Sequence, residues 1–119
     1  MILVVDDDHD IVLIIKTSLE KAGLSVSSFT DPLMALETIR QTPSDYDLVI
    51  SDIRMPHLNG YEFVRQIKNI KPTMKILLMS AFEYEYSAFQ KDFSSSDVKG
   101  YIEKPVSLHK LNQIVLALV

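Results

Sequence analysis

The chain has 119 residues, 47% of them hydrophobic and 24% charged, with a net charge of −4 and no cysteine. That is the size of one ordinary domain, residues 1–119, with enough apolar content for a core. The lack of Cys excludes disulfides and thiolate metal sites, and an acidic balance without any basic run argues against direct binding to nucleic acid. No apolar run approaches the ~20 residues of a membrane helix, and the opening run from Met1 to Val5 is too short for the core of a secretory signal. A cytoplasmic protein without a membrane partner is expected.

Short apolar runs alternate with segments of helical period. Ile2 to Val5 is continuously apolar, the pattern of a strand buried on both faces. Ile11, Ile15, Leu19 and Ala22 then recur at helical spacing, and Gly23 suits a helix stop. Val26 to Phe29 is a weaker strand. Asp31-Pro32 reads as an N-cap followed by the first helical residue, and Pro32, Ala35, Leu36 and Ile39 form that helix's apolar stripe. Leu48 to Ile50 is the next buried strand, followed by turn residues from Met55 to Gly60. Phe63, Val64 and Ile67 mark a third helix ending near Pro72. Ile76 to Met79 is a fourth strand and residues 83–93 a fourth helix. Lys99 to Glu103 is a fifth strand, and Leu108, Leu111, Val115 and Leu118 stripe a last helix. Five strand–helix units in succession predict an α/β domain, a parallel sheet with helices on both faces and right-handed crossovers. Ligands of such sheets sit beyond the carboxyl ends of the strands.

Those ends carry polar groups. Strand one runs into Asp6-Asp7-Asp8, strand three into Ser51-Asp52, strand four into Ser80-Ala81 and strand five into Glu103-Lys104-Pro105. An acid after a strand is usually a solvated turn residue or a helix cap, and Asp8, one residue past the pair, is read that way. Their coincidence on one sheet edge is harder to ascribe to chance. Carboxylates without His or Cys form an oxygen-only site suited to a hard cation such as Mg²⁺. His9, His57 and His109 have no ligand spacing and read as surface residues. A lysine and a hydroxyl beside such a site suit phosphoryl transfer, where positioning and charge neutralisation dominate. A carboxylate can itself be the nucleophile.

The segments "ILVVDDD", "DLVISDIRMPHLNG", "ILLMSA" and "GYIEKP", in this order and spanning the chain, resemble the response-regulator receiver domains of two-component signalling, including the single-domain chemotaxis regulators. The resemblance implies a flavodoxin-like five-stranded sheet of order 2-1-3-4-5. It implies that Asp52 is the phosphoacceptor, and that Asp6 and Asp7 serve Mg²⁺ or Mn²⁺, Asp7 directly and Asp6 through water. Asp52 itself and the Arg54 backbone carbonyl complete the metal site. Ser80 matches the switch hydroxyl, Tyr101 the switch aromatic and Lys104 the charge-offsetting lysine, with Lys104-Pro105 a candidate cis peptide. The implied partners are a sensor histidine kinase or phosphotransfer protein and a downstream protein or fused output domain. Signalling is expected through the face of the fourth helix, fifth strand and last helix, also a candidate for homodimerisation. On this reading the domain is no enzyme, catalysing only its own phosphotransfer and dephosphorylation.

Three features depart from the family pattern. Ser80 stands where Thr is commoner. The stretch "EYEYSAFQKDFSSSDVKG" lacks the usual small-residue segment, so the fourth helix is expected to be short, shifted or mobile. Phe82, Tyr86, Phe89 and Phe93 fall on one stripe of that helix, as a core face or as a partner-binding surface. Arg54 and Phe82, each two residues past a site residue, are bulky, and slow hydrolysis of an acyl phosphate is expected from them. Rival readings are an aspartyl-nucleophile phosphatase, which would need a second acid where Arg54 stands, and a receiver-like module that binds without phosphorylation. A flavin or nucleotide carrier is disfavoured, because "DDDHD" would repel a phosphate.

Overall fold

The computed structural model describes residues 1–80 and 98–119. The expected fourth helix and its aromatics, Phe82, Tyr86, Phe89 and Phe93, lie outside them. The strands are β1 (Ile2–Val5), β2 (Val26–Phe29), β3 (Leu48–Asp52), β4 (Lys75–Ser80) and β5 (Gly100–Glu103). They form one parallel sheet of order β2-β1-β3-β4-β5, the order expected. The α-helices among the described residues are α1 (His9–Lys21), α2 (Pro32–Gln41), α3 (Gly60–Ile70) and α4 (Leu108–Leu118).

β1 and β3 are fully buried because both sheet faces are covered. Alternate residues of each strand feed two separate cores. Leu3, Val5, Val49, Ile76 and Leu78 pack with α2 and α3, through Ala35, Leu36, Ile39, Phe63, Val64 and Ile67. Ile2, Val4, Leu48, Ile50, Leu77 and Met79 pack with α1 and α4, through Ile15, Leu19, Leu111 and Val115. A bond of 3.2 Å from Ser18 Oγ to Asn112 Oδ1 joins α1 to α4 on that side.

Local sequence sets the helix ends. Asp8 caps α1, its carboxylate accepting from the Asp10 and Ile11 amides, and Asp31 caps α2 through the Leu33 amide. Asn59 and Ser107 do the same for α3 and α4. Each satisfies amides that the first helical turn leaves without partners. Gly23, just past α1, has φ 89°, the left-handed geometry that glycine tolerates best.

The buried stripe of α1 is Val12, Ile15 and Leu19. The expected Ile11 is only partly buried and Ala22 is exposed. Ile11 and Val12 both share a face with Ile15; Val12 is turned into the sheet, while Ile11 packs at the margin of the same core. A short 3₁₀ turn, Pro43–Asp45, precedes β3, and β3 runs through Asp52 rather than ending at Ile50.

Candidate phosphoacceptor and metal site

β1 and β3 are neighbours in the middle of the sheet and pair Val5 with Ser51. Asp6 and Asp52, the next residue on each, therefore emerge side by side. One carboxylate oxygen from each of Asp6, Asp7 and Asp52 falls within 4.8 Å of the others. Asp6 is wholly buried and Asp52 is 6% exposed, while Asp7 faces solvent.

Lys104, next after β5, reaches across to this pair. Its Nζ lies 2.7 Å from Asp6 Oδ2 and 3.3 Å from Asp52 Oδ2. The other oxygen of each acid is held by a backbone amide. Asp8 N–H donates to Asp6 Oδ1 at 3.0 Å, and Ile53 N–H donates to Asp52 Oδ1 at 2.9 Å. The Lys104 amide donates to Ser80 O at 2.8 Å, which fixes the end of β5 against the end of β4. The Lys104–Pro105 peptide is cis, as expected.

The electrostatics follow from burial. Burial, then the Asp6 charge, push the Asp52 carboxyl up to about 6, against the pull of Lys104 and the Ile53 amide. Burial raises Asp6 also, and the Lys104 contact only partly offsets it. Burial pulls the Lys104 ammonium down, but Asp6 and Asp52 outweigh this and hold it above the usual lysine value. Lys104 thus pairs with two buried acids at once.

The donor set fits a hard divalent cation. It is all oxygen, it carries surplus negative charge, and one face is open at Asp7. Asp6 Oδ2 is buried, and the Lys104 ammonium closes on it as an ion pair at 2.7 Å. A buried carboxylate oxygen in that state can take a further positive ligand.

The remaining expected residues lie on β4, on β5 and in the loop after β3. Ser80 is buried at the end of β4, one residue past Met79, the lateral partner of Asp52. Arg54 follows in the loop after β3 with its side chain exposed. Tyr101 pairs laterally with Leu78 and packs, partly buried, against the core beneath α2 and α3. Burial and nearby Tyr61 raise its phenol above the ordinary value.

The sequence reading missed two features. Ser51 is buried, and its hydroxyl donates to the Asp52 carbonyl at 2.8 Å; a lone Ser in an apolar strand was the available signal. His57 has φ 71°, for which the Pro56-His57 turn gave no signal of its own.

A doubly wound sheet with paired acids, a third acid on the adjacent strand and a lysine from β5 defines an acid-pocket α/β protein. The family model for the response regulator receiver domain matches residues 2–116, and the chain belongs to that family. It is 34% identical over 110 residues to the transcriptional regulatory protein ZraR of Klebsiella oxytoca, covering 92% of this chain and 24% of that protein. It is 32% identical to the response regulator SaeR of Staphylococcus aureus, covering 92% and 46%. The chain thus spans less than half the length of these relatives. Among solved structures, a receiver domain protein from Clostridium thermocellum superposes with TM-score 0.87 at 28% identity, covering 98% of this chain and 91% of that one. The response regulator TrrA of Thermotoga maritima, in complex with Mg²⁺–BeF, does so with TM-score 0.83 at 31% identity, covering 99% and 97%.

Proposed function

We propose that this receiver domain is a phosphorylation-activated switch in which Asp52 accepts a phosphoryl group from a histidine kinase or phosphotransfer protein. The observation that carries this reading is the buried Asp52 carboxylate, tethered by the Ile53 amide through Oδ1 and facing Lys104 at 3.3 Å through Oδ2. In the transfer, an Asp52 oxygen attacks the phosphorus of a phosphohistidine. The O–P bond forms as the N–P bond breaks, and the imidazole leaves and takes up a proton. Lys104 offsets charge on the acceptor. Ser80, at the end of the adjacent strand, donates its hydroxyl to the new phosphoryl group.

Asp6, Asp7 and Asp52, with the Arg54 carbonyl, would hold Mg²⁺ or Mn²⁺. A cation bound there would supply neutralisation of the negative charge that collects in the pocket. The acid cluster supports this, as does the Mg²⁺–BeF complex of TrrA. Tyr101 would report the change at the face of β5 and α4, which would bind the output partner or a second copy. Phosphorylation acts by stabilising one of two packings over the other. The greater length of ZraR and SaeR supports a fused output domain, and family membership supports a cytoplasmic role. Arg54 would slow hydrolysis of the acyl phosphate; an unchanged half-life in Arg54→Asn would refute this.

The test is intact-mass spectrometry after incubation with acetyl phosphate, with and without Mg²⁺. Wild type should gain one phosphoryl group only with Mg²⁺, and Asp52→Asn none. Stoichiometric labelling of Asp52→Asn would overturn the assignment. Turnover of simple phosphate esters would favour a phosphatase instead.

A further inference from the structure

Ser51 is a polar residue in an apolar place. Its lateral neighbours on the sheet are Val5 and Leu78, both in the core beneath α2 and α3. It is itself fully buried. Packing alone would favour an apolar side chain here, since a buried hydroxyl is unfavourable unless it is hydrogen-bonded. The Ser51 hydroxyl donates to the Asp52 carbonyl oxygen at 2.8 Å and lies 4.0 Å from Met55 Sδ.

That carbonyl belongs to the peptide unit joining Asp52 to Ile53. The unit is planar, so fixing its oxygen also fixes the direction of its N–H. The same N–H donates to Asp52 Oδ1 at 2.9 Å and to Met79 O at 3.1 Å. Ser51 therefore grips one end of the peptide whose other end grips the Asp52 carboxylate, although its own side chain is buried in the core rather than in the acid pocket.

We propose that Ser51 is a positioning residue for phosphorylation. Its hydroxyl locks the Asp52–Ile53 peptide so that the Ile53 amide tethers Oδ1 and leaves Oδ2 turned toward Lys104. Without this lock the peptide is held only from its N–H side, by Met79 O and Asp52 Oδ1, and the acceptor spends less time aligned for in-line attack. Small misplacements of reacting groups reduce rates steeply, up to about 100-fold for ~1 Å. The inference rests on Asp52 being the phosphoacceptor.

The test measures the rate of labelling of the whole chain by acetyl phosphate with saturating Mg²⁺. In this reaction an Asp52 oxygen bonds to phosphorus and acetate leaves. Ser51→Ala should label about 5- to 20-fold more slowly than wild type, and Ser51→Thr, which keeps the hydroxyl, should recover most of the rate. The Ile53 amide resonance should move in Ser51→Ala and return in Ser51→Thr. Ser51→Cys, close in volume but a weak donor, should label slowly like Ser51→Ala, and it decides the matter if Ser51→Ala does not fold. A folded Ser51→Ala or Ser51→Cys within twofold of wild type would overturn the proposal, as would a Ser51→Thr as slow as Ser51→Ala. Wild type that takes no label, or Asp52→Asn that takes as much, refutes the phosphoacceptor reading instead.

Discussion

Lys104 Nζ stands 2.7 Å from Asp6 Oδ2 and only 3.3 Å from Asp52 Oδ2, so the lysine leans toward the acid that is fully buried. In the metal-free protein this ammonium is the counter-charge of both acids. Removing one partner of a buried pair leaves an uncompensated charge. Lys104→Met should therefore lower metal-free stability by about 1–3 kcal/mol at neutral pH, discounted because the lysine is 17% exposed. Saturating Mg²⁺ should restore most of the loss. Urea denaturation with and without Mg²⁺ measures both, and an equal loss in the two conditions would count against the pairing.

The raised carboxyls give metal-free protein an unusual pH response. Asp52 titrates at about 6 when folded, against 3.8 as the ordinary value, and Asp6 is also raised. Between these values the folded state holds more protons than the unfolded state, so stability from Asp52 is complete below about pH 4 and is lost as pH rises through 6. Asp52→Asn lacks this titration. In chelator, its stability relative to wild type should rise from pH 4 to pH 7, by on the order of 2 kcal/mol. Paired denaturation curves at each pH give the difference, and a flat or falling difference contradicts the reading.

Metal should bind the folded chain and raise its melting temperature in proportion to the logarithm of concentration, about 1.4 kcal/mol per tenfold above half-saturation. Asp6→Asn and Asp7→Asn should weaken this response. Asp8→Asn should keep it, because Asp8 serves as the N-cap of α1 and Asn caps equally well. Asp8→Ala should be destabilised by about 1 kcal/mol with the metal response intact. Thermal melts across an Mg²⁺ series separate the three acids.

His57 is exposed and sits at φ 71°, where a side chain with a Cβ is strained by about 1–2 kcal/mol. His57→Gly should raise the melting temperature, the gain reduced by the freedom glycine adds to the unfolded chain. A lower melting temperature would mean that the imidazole makes a contact worth more than the strain.

The sheet was legible because Ile2–Val5, Leu48–Ile50 and Ile76–Met79 are short continuous apolar runs, the pattern of strands buried on both faces, set between segments of helical period. The acids were legible because each falls within two residues of the end of such a run. The phase of α1 was harder to read. Its apolar residues are so many, Ile11 to Ile15 without a break, that periodicity alone could not choose between Ile11 and Val12; packing against the sheet and α4 did. Ser51 was read only as the residue before Asp52, because its effect passes through a backbone carbonyl that no residue pattern records.

The members of the acid pocket enter the chain in a fixed order. Asp6 and Asp7 come first, Asp52 follows from the middle, and Lys104 arrives only with the end of β5. A growing chain that has laid β3 beside β1 but has not yet added β5 holds Asp6 and Asp52 together without their ammonium. Held that way, the two acids would need protons or a divalent cation to stay side by side. The last strand therefore delivers the counter-ion on which the first strand's buried aspartate depends.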